Sequence, residues 1–218
     1  MKGLLVKDLR IVLAQKRYIC MIGAIGIVMA VTRQNGSFCI MYMSMIAAIM
    51  AVSTLNYDAY EENGMAYVMM LPVKRSAYVI EKYVFSIGTV SVVSILFSFV
   101  GLLYSVMSGE QEVWTEILIY CVAAIVMGIT VMSLMIPANL KFGAEKSRVA
   151  LMIFGGGVLA VFYPLKIAIE KYPKVHQVLS KLEEVPGWQW GIALTLVVAL
   201  ILAVSMLISI KVMEEKDF

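Results

Sequence analysis

Six stretches of this chain run for 15 residues or more without a charged side chain: Tyr18–Thr32, Gln34–Tyr57, Val84–Gly109, Ile117–Leu140, Val149–Leu165 and Val185–Ile210. A membrane crossing needs roughly 20 mostly apolar residues, so each stretch is a candidate span. The expected fold is an all-α polytopic membrane protein, a single domain over residues 1–218 with six transmembrane helices. The first stretch has only 15 residues and the fifth 17, so both rely on Lys16, Arg17, Arg33 or Lys166 snorkelling to the headgroups. Charged residues are 15% of the chain, against about 25% in a typical soluble domain, which points the same way. No cleaved leader is expected, because the first apolar run starts late and is followed by Arg33 instead of a small-residue cleavage site.

Six spans put both termini on one side, and the cations say which. The N-terminal arm, the second and fourth connections and the tail hold thirteen Lys and Arg; the opposite face holds five, namely Arg33, Lys166, Lys171, Lys174 and Lys181. The positive-inside rule places the thirteen in the cytoplasm. The net charge of +3 is spread over both faces and does not suggest nucleic acid. Cys20, Cys39 and Cys121 fall inside apolar runs, where a thiol acts as a small hydrophobe. No disulfide is expected, and three scattered cysteines with one histidine make no zinc spacing.

Residues 1–17 form an amphipathic arm, with Leu5, Leu9, Val12 and Leu13 on one helical face and Lys7, Arg10 and Lys16 on the other. Such a helix lies in the membrane interface, its cations toward anionic headgroups; the alternative is a basic flank that only sets topology. Arg33–Ser37 is short enough to make spans one and two an antiparallel hairpin. Span three carries Gly88, Gly101 and four serines, small residues that let helices approach closely in lipid.

The long polar interruption is residues 56–83, with Asp58, Glu61, Glu62, Lys74, Arg75, Glu81 and Lys82. Gly64 suits a C-terminal cap for a short acidic helix starting near Tyr57. Pro72 disfavours helix at Leu71, and a second helix restarts beyond Ser76. The expected product is a helix, a turn and a helix outside the bilayer, with acids near a helix N-terminus; a solvated acidic loop is the alternative. In the fourth connection Pro137 is expected to end or kink span four. Asn139, Lys141, Gly143, Glu145, Lys146 and Arg148 then make a compact polar turn, in which Glu145 can pair with Arg148 for a few tenths of a kcal/mol. Gly155, Gly156 and Gly157 in span five weaken a helix and suggest packing, a close crossing or a hinge. Residues 166–187 read as an outer amphipathic segment, with Val175, Val178, Leu179 and Leu182 at helical spacing and Trp188 and Trp190 marking the interface beyond. His176 in that segment reads as solvated surface.

No G-x-x-x-x-G-K-S/T run is present, so the chain builds no phosphate-cradling loop. No catalytic constellation and no metal set is visible. Spans three and six lack charge, whereas ion-coupled carriers place ionisable groups at membrane depth.

The runs EENGMAYVMMLPVKRSAYVIEKY (61–83) and PANLKFGAEKSR (137–148) resemble the two signature stretches of the small bacterial ABC-2 type transporter permeases, and the likeness in length, span count and loop placement covers essentially the whole chain. The resemblance implies an exporter built from two permease subunits, the second of the same sequence, and two copies of a separate ATP-binding subunit that binds ATP and Mg. The chain itself would hold no cofactor and lie in the cell membrane. Asp58, Tyr60, Glu61, Glu62, Asn63 and Gly64 would match the family's coupling helix, with Leu71 and Pro72 fixing its turn. Lys141, Gly143, Glu145, Lys146 and Arg148 would form the second cytoplasmic loop. Some members export amphipathic, membrane-active peptides; others move lipids, polysaccharides or antibiotics. A proton-coupled carrier and a non-transporting membrane scaffold or sensor are the competing classes.

Overall fold

The structure, a computed structural model, describes residues 2–33, 36–60, 70, 74–108, 114–143 and 187–216, with separate positions between 146 and 164. Its long helices are α1 (Lys2–Ala14), α2 (Lys16–Arg33), α3 (Gly36–Tyr60), α4 (Arg75–Ser108), α5 (Trp114–Phe142) and α6 (Gly187–Glu215). Four of them, α3 to α6, are long and apolar enough to cross a membrane; α1 and α2, bent by 65° at their junction, make at most one more. The expectation of six spans is therefore met only in part. In α2 the charges of Lys16, Arg17 and Arg33 stand at the ends of 18 residues, which leaves too short an apolar stretch for a full crossing by itself. Most of the fifth candidate run and the 166–187 segment lie outside the described residues.

The central helix is α3, which packs on α4 and α5 and is flanked by α1 and α2; α5 in turn carries α6. Its small residues explain this place: Ala47, Ala48 and Ala51 are buried, as are Val52 and Leu55, and small side chains let neighbouring backbones come close where lipid offers no hydrophobic drive to association. The α2–α3 hairpin forms as expected, with Gly26 against Met43.

A close three-helix approach is made at Gly128 of α5. A Cβ on Gly128 of α5 would lie 2.6 Å from Val90 of α4 and 2.9 Å from Ser44 of α3, and the Ser44 hydroxyl donates to the Ala124 carbonyl at 2.6 Å. Gly88, by contrast, has open space where a side chain would go, and so have Gly155, Gly156 and Gly157. Among the described residues the three glycines make no close crossing.

Pro137 does not end the fourth span, which continues to Phe142. Proline lacks the N–H that would bond the carbonyl of Ser133, four residues back. The hydroxyl of Ser205 on α6 donates to that carbonyl instead, and Tyr83 of α4 bonds Ser205 at 2.6 Å and Ser209 at 2.9 Å. One chain of hydroxyls thus ties α4, α5 and α6 together at the proline. The helix stops where Gly143 takes φ +84° and its N–H reaches the Asn139 carbonyl at 2.8 Å, a glycine C-cap.

The arrangement at Pro137 makes a testable claim. Ser205→Ala leaves a buried carbonyl unpaired and is expected to cost about 1–3 kcal/mol. Adding Pro137→Ala returns an N–H to the helix and should recover most of the loss. Thermal melts of the two single variants and the double variant check this, and additive losses would refute it.

Candidate functional site

The polar interruption is rooted in a buried ionic junction. Asp8 lies on α1, Thr54 and Asp58 stand one turn apart on α3, and Tyr78 and Lys82 stand one turn apart on α4. Spacing of four residues puts each pair on one helix face, so three helices bring five polar side chains to one point. The Lys82 ammonium is 2.5 Å from Asp8 Oδ2 and 3.0 Å from Asp58 Oδ2. Tyr78 donates to Asp58 at 2.8 Å. Thr54 donates to Asp8 at 3.2 Å and to the Ala51 carbonyl at 2.8 Å. Lys7 closes the outer side, 2.5 Å from Asp58 Oδ1.

Burial decides what this arrangement is worth. The side chains of Asp8 and Lys82 are 0% and 2% exposed, and at that depth a charge stripped of water is tolerable only when paired and hydrogen-bonded. Asp58 faces a further penalty, since it sits in the last turn of α3, where the helix dipole disfavours negative charge. Lys7, Lys82 and Tyr78 together offset it. Glu81 is also buried, at 2% exposure, and neither of its oxygens has a hydrogen-bond partner among the described residues. The junction therefore pairs two carboxylates, Asp8 and Asp58, with two ammonium groups, Lys7 and Lys82, while Glu81 is buried next to Lys82 in the chain without joining it.

A second layer ties the same end of the bundle to the helices behind it. Arg75, the first residue of α4, donates to the carbonyls of Met213, Glu214 and Lys216 at 3.3, 2.8 and 3.0 Å. Lys216 donates to the Leu140 carbonyl at 3.1 Å. These are the carbonyls that a helix C-terminus leaves without intrahelical donors. Asn139 bonds Asn56 at 2.6 Å, and Gln15 bonds Tyr57 at 2.8 Å. The ends of α3, α5 and α6, the start of α4 and the Leu4–Asp8 part of α1 consequently meet on one face. The largest apolar cluster lies here too, including Leu4, Val52, Leu55, Tyr78, Val79, Ile136, Leu140 and Met213.

The expected coupling residues divide. Asp58 is not at the start of a short acidic helix: α3 continues unbroken through it to Tyr60, because nothing between Ser53 and Tyr60 is a helix breaker, and its carboxylate points into the junction. Tyr60 ends α3, while Glu61, Glu62, Asn63, Gly64, Leu71 and Pro72 lie outside the described residues. In the second loop, Lys141 is exposed over the Phe142 ring at 5.4 Å, Gly143 caps α5 and Lys146 is exposed; Glu145 and Arg148 lie outside the described residues. Sequence reading missed Asp8, Thr54, Tyr78 and Lys82 as partners, and Arg75 as a cap. One signal was available: Asp8 is the lone acid in an arm of five cations. The arm's buried stripe is Leu4 and Asp8, while Leu9 and Leu13 are exposed, so the face expected to be apolar is not the one that enters the bundle.

With this geometry in view, the comparison with known families is decisive: a family model described as "ABC-2 family transporter protein" matches residues 3–214. The chain belongs to the ABC-2 transporter family. No curated protein and no solved structure matches it. The match runs from α1 to the end of α6, so the junction lies wholly within the ABC-2 domain. An ABC-2 chain is a multi-pass membrane component without an ATPase of its own and works with an ATP-binding subunit. The junction joins α1, α3 and α4 through paired charges and hydroxyl–carboxylate hydrogen bonds.

Proposed function

We propose that this ABC-2 chain is the permease subunit of an exporter, driven by two copies of a separate subunit that binds ATP and Mg. A second permease subunit of the same sequence completes the pathway, because alternating access needs two bundles moving about a central site. Both termini and the 56–83 connection face the cytoplasm, where the acidic stretch of Glu61 and Glu62 docks on the ATP-binding subunit. The second loop, with Lys141, Gly143, Glu145, Lys146 and Arg148, lines the same docking face. The proposed substrates are amphipathic, membrane-active peptides.

The observation that carries this reading is the ionic junction at the root of the acidic stretch. A solvated loop needs no buried anchor, whereas a loop that transmits force must be fixed to the helices it moves. Because the alanine face of α3 is buried inside one subunit, the proposed second subunit is assigned to other surfaces. Glu81, a buried carboxylate without a hydrogen-bond partner among the described residues, favours a second reading, a proton-coupled carrier.

Purification and reconstitution separate the two. The permease is expected to copurify with an ATP-binding protein in a two-to-two complex and to export peptide from vesicles only with ATP. Peptide flux driven by a pH gradient without ATP would establish the carrier instead.

A further inference from the structure

Glu81 is buried at 2% exposure, and neither of its carboxylate oxygens meets a hydrogen-bond donor among the described residues. Tyr78 and Phe85 stand about a turn to either side of it on the same helix face. Both meet α1: Tyr78 shares an apolar cluster with Leu4, and Phe85 lies across a groove from Leu5. Glu81 is thus placed where α1 packs on α4.

Among the described residues no ion pair reaches it. Lys82, the next residue, is committed to Asp8 at 2.5 Å and to Asp58 at 3.0 Å, and Lys7 to Asp58 at 2.5 Å. Two ammonium groups already face two carboxylates, so the charges of the junction close without Glu81. Burial is the largest influence on this side chain, ahead of the fields of Lys82, Asp8, Lys7 and Asp58, in which two cations oppose two anions. The remaining neighbours of α4 bring no counter-charge. Where α6 meets it, at Tyr83 and Arg75, Lys211, Glu214 and Glu215 are exposed. On α5, Glu116 and Lys141 are exposed at opposite ends of the helix. An ionised carboxylate buried without a partner is strongly disfavoured, whereas the neutral acid needs no counter-ion.

We propose that Glu81 binds one proton and acts as a pH-sensitive latch for α1. As the neutral acid it lets α1 lie on α4. When its O–H bond breaks and the proton passes to water, the carboxylate competes with Asp8 for Lys82, and α1 loosens. The latch needs no proton path across the membrane, so it stands or falls apart from how transport is driven.

The test compares full-length wild type with Glu81→Gln, which copies the neutral acid, in nanodiscs. An unfolded chain gives up a glutamate proton near the ordinary value of about 4.3; a folded chain that keeps it loses stability as the pH rises above that value. From about pH 5.5 to about pH 8.5 the wild-type melting temperature should therefore fall by about 4–8 °C relative to the variant, the shift that one such proton gives over one to two pH units. At the acid end the two proteins should melt together. At the alkaline end the amides of α1 should exchange about tenfold faster in wild type than in Glu81→Gln, with those of α5 alike. Comparison at one pH cancels the intrinsic exchange rate. Infrared spectra should show the carbonyl stretch of a protonated carboxylic acid in wild type at the acid end, diminished at the alkaline end and missing from the variant. Glu81→Met, also uncharged, replaces the glutamine variant if that does not insert. Parallel melting profiles over the whole pH range overturn the proposal, because a merely structural role shifts both ends equally. Equal α1 exchange at the alkaline end overturns it too, as does a glutamine variant less stable than wild type at the acid end.

Discussion

Replacing Lys82 with methionine is expected to lower the melting temperature of the purified permease by roughly 6–20 °C. The range follows from about 3–5 kcal/mol for stripping one partner from a buried ion pair, at roughly 2–4 °C per kcal/mol for a chain of this size. Methionine fills much of the same space, so the loss is electrostatic: Asp8 and Asp58 stay buried with only the half-exposed Lys7 between them. Asp8→Asn in the Lys82→Met background should restore part of the stability, because the uncompensated carboxylate goes with its partner. The cycle of two single variants and one double variant isolates the pair. Hydrogen exchange gives the local readout, with the amides of α1 becoming labile while those of α5 keep their protection. A Lys82→Met protein that melts within a degree or two of wild type would mean that the junction does not hold α1 to the bundle.

The spans were legible because they are local: a run of apolar residues declares itself without reference to the rest of the chain, and α3 to α6 stand where such runs were read. The root of the candidate site was not legible, for the opposite reason. Asp8, Asp58 and Lys82 come from three separate helices, and no periodicity in one helix reports a partner in another. Their charges looked like ordinary solvated flanks of a membrane protein, and Lys82 in particular read as one more cytoplasmic cation. Of the two outcomes expected at Pro137, an end or a kink, the end does not occur: the local rule is sound, but Ser205 supplies the missing donor from another helix. Asp58 shows the cost of placing a helix boundary by charge. An acid is favoured at a helix start, yet this one lies at a helix end, where two lysines and a tyrosine on neighbouring helices compensate it. The N-terminal arm was legible as a helix but not as to which face is used, because one buried acid turns a polar-looking stripe inward.

The acidic stretch that leaves the junction carries the second large effect. Reversing Glu61 and Glu62 to lysine is expected to cut peptide export per ATP hydrolysed by tenfold or more, about 1.4 kcal/mol or above in coupling, while the permease inserts and melts as wild type does. Stability is expected to be spared because the described chain is anchored on both sides of this stretch, at Asp58 and at Arg75 where α4 begins. Under the proposed docking, function is not spared, because a charge reversal turns attraction for the ATP-binding subunit into repulsion, and like charges across an interface cost several kcal/mol. ATPase rate and export must be measured in the same vesicles, since coupling is their ratio. Two failures of the double reversal are consistent with docking: the ATP-binding subunit dissociates, or it remains and hydrolyses ATP without moving peptide. Pro72→Ala, which relaxes the turn expected at Leu71 and Pro72 without altering charge, should lower the same ratio while leaving the subunits associated. Unchanged export per ATP in the double reversal would remove this stretch from the mechanism and leave the ionic junction as a purely structural clamp.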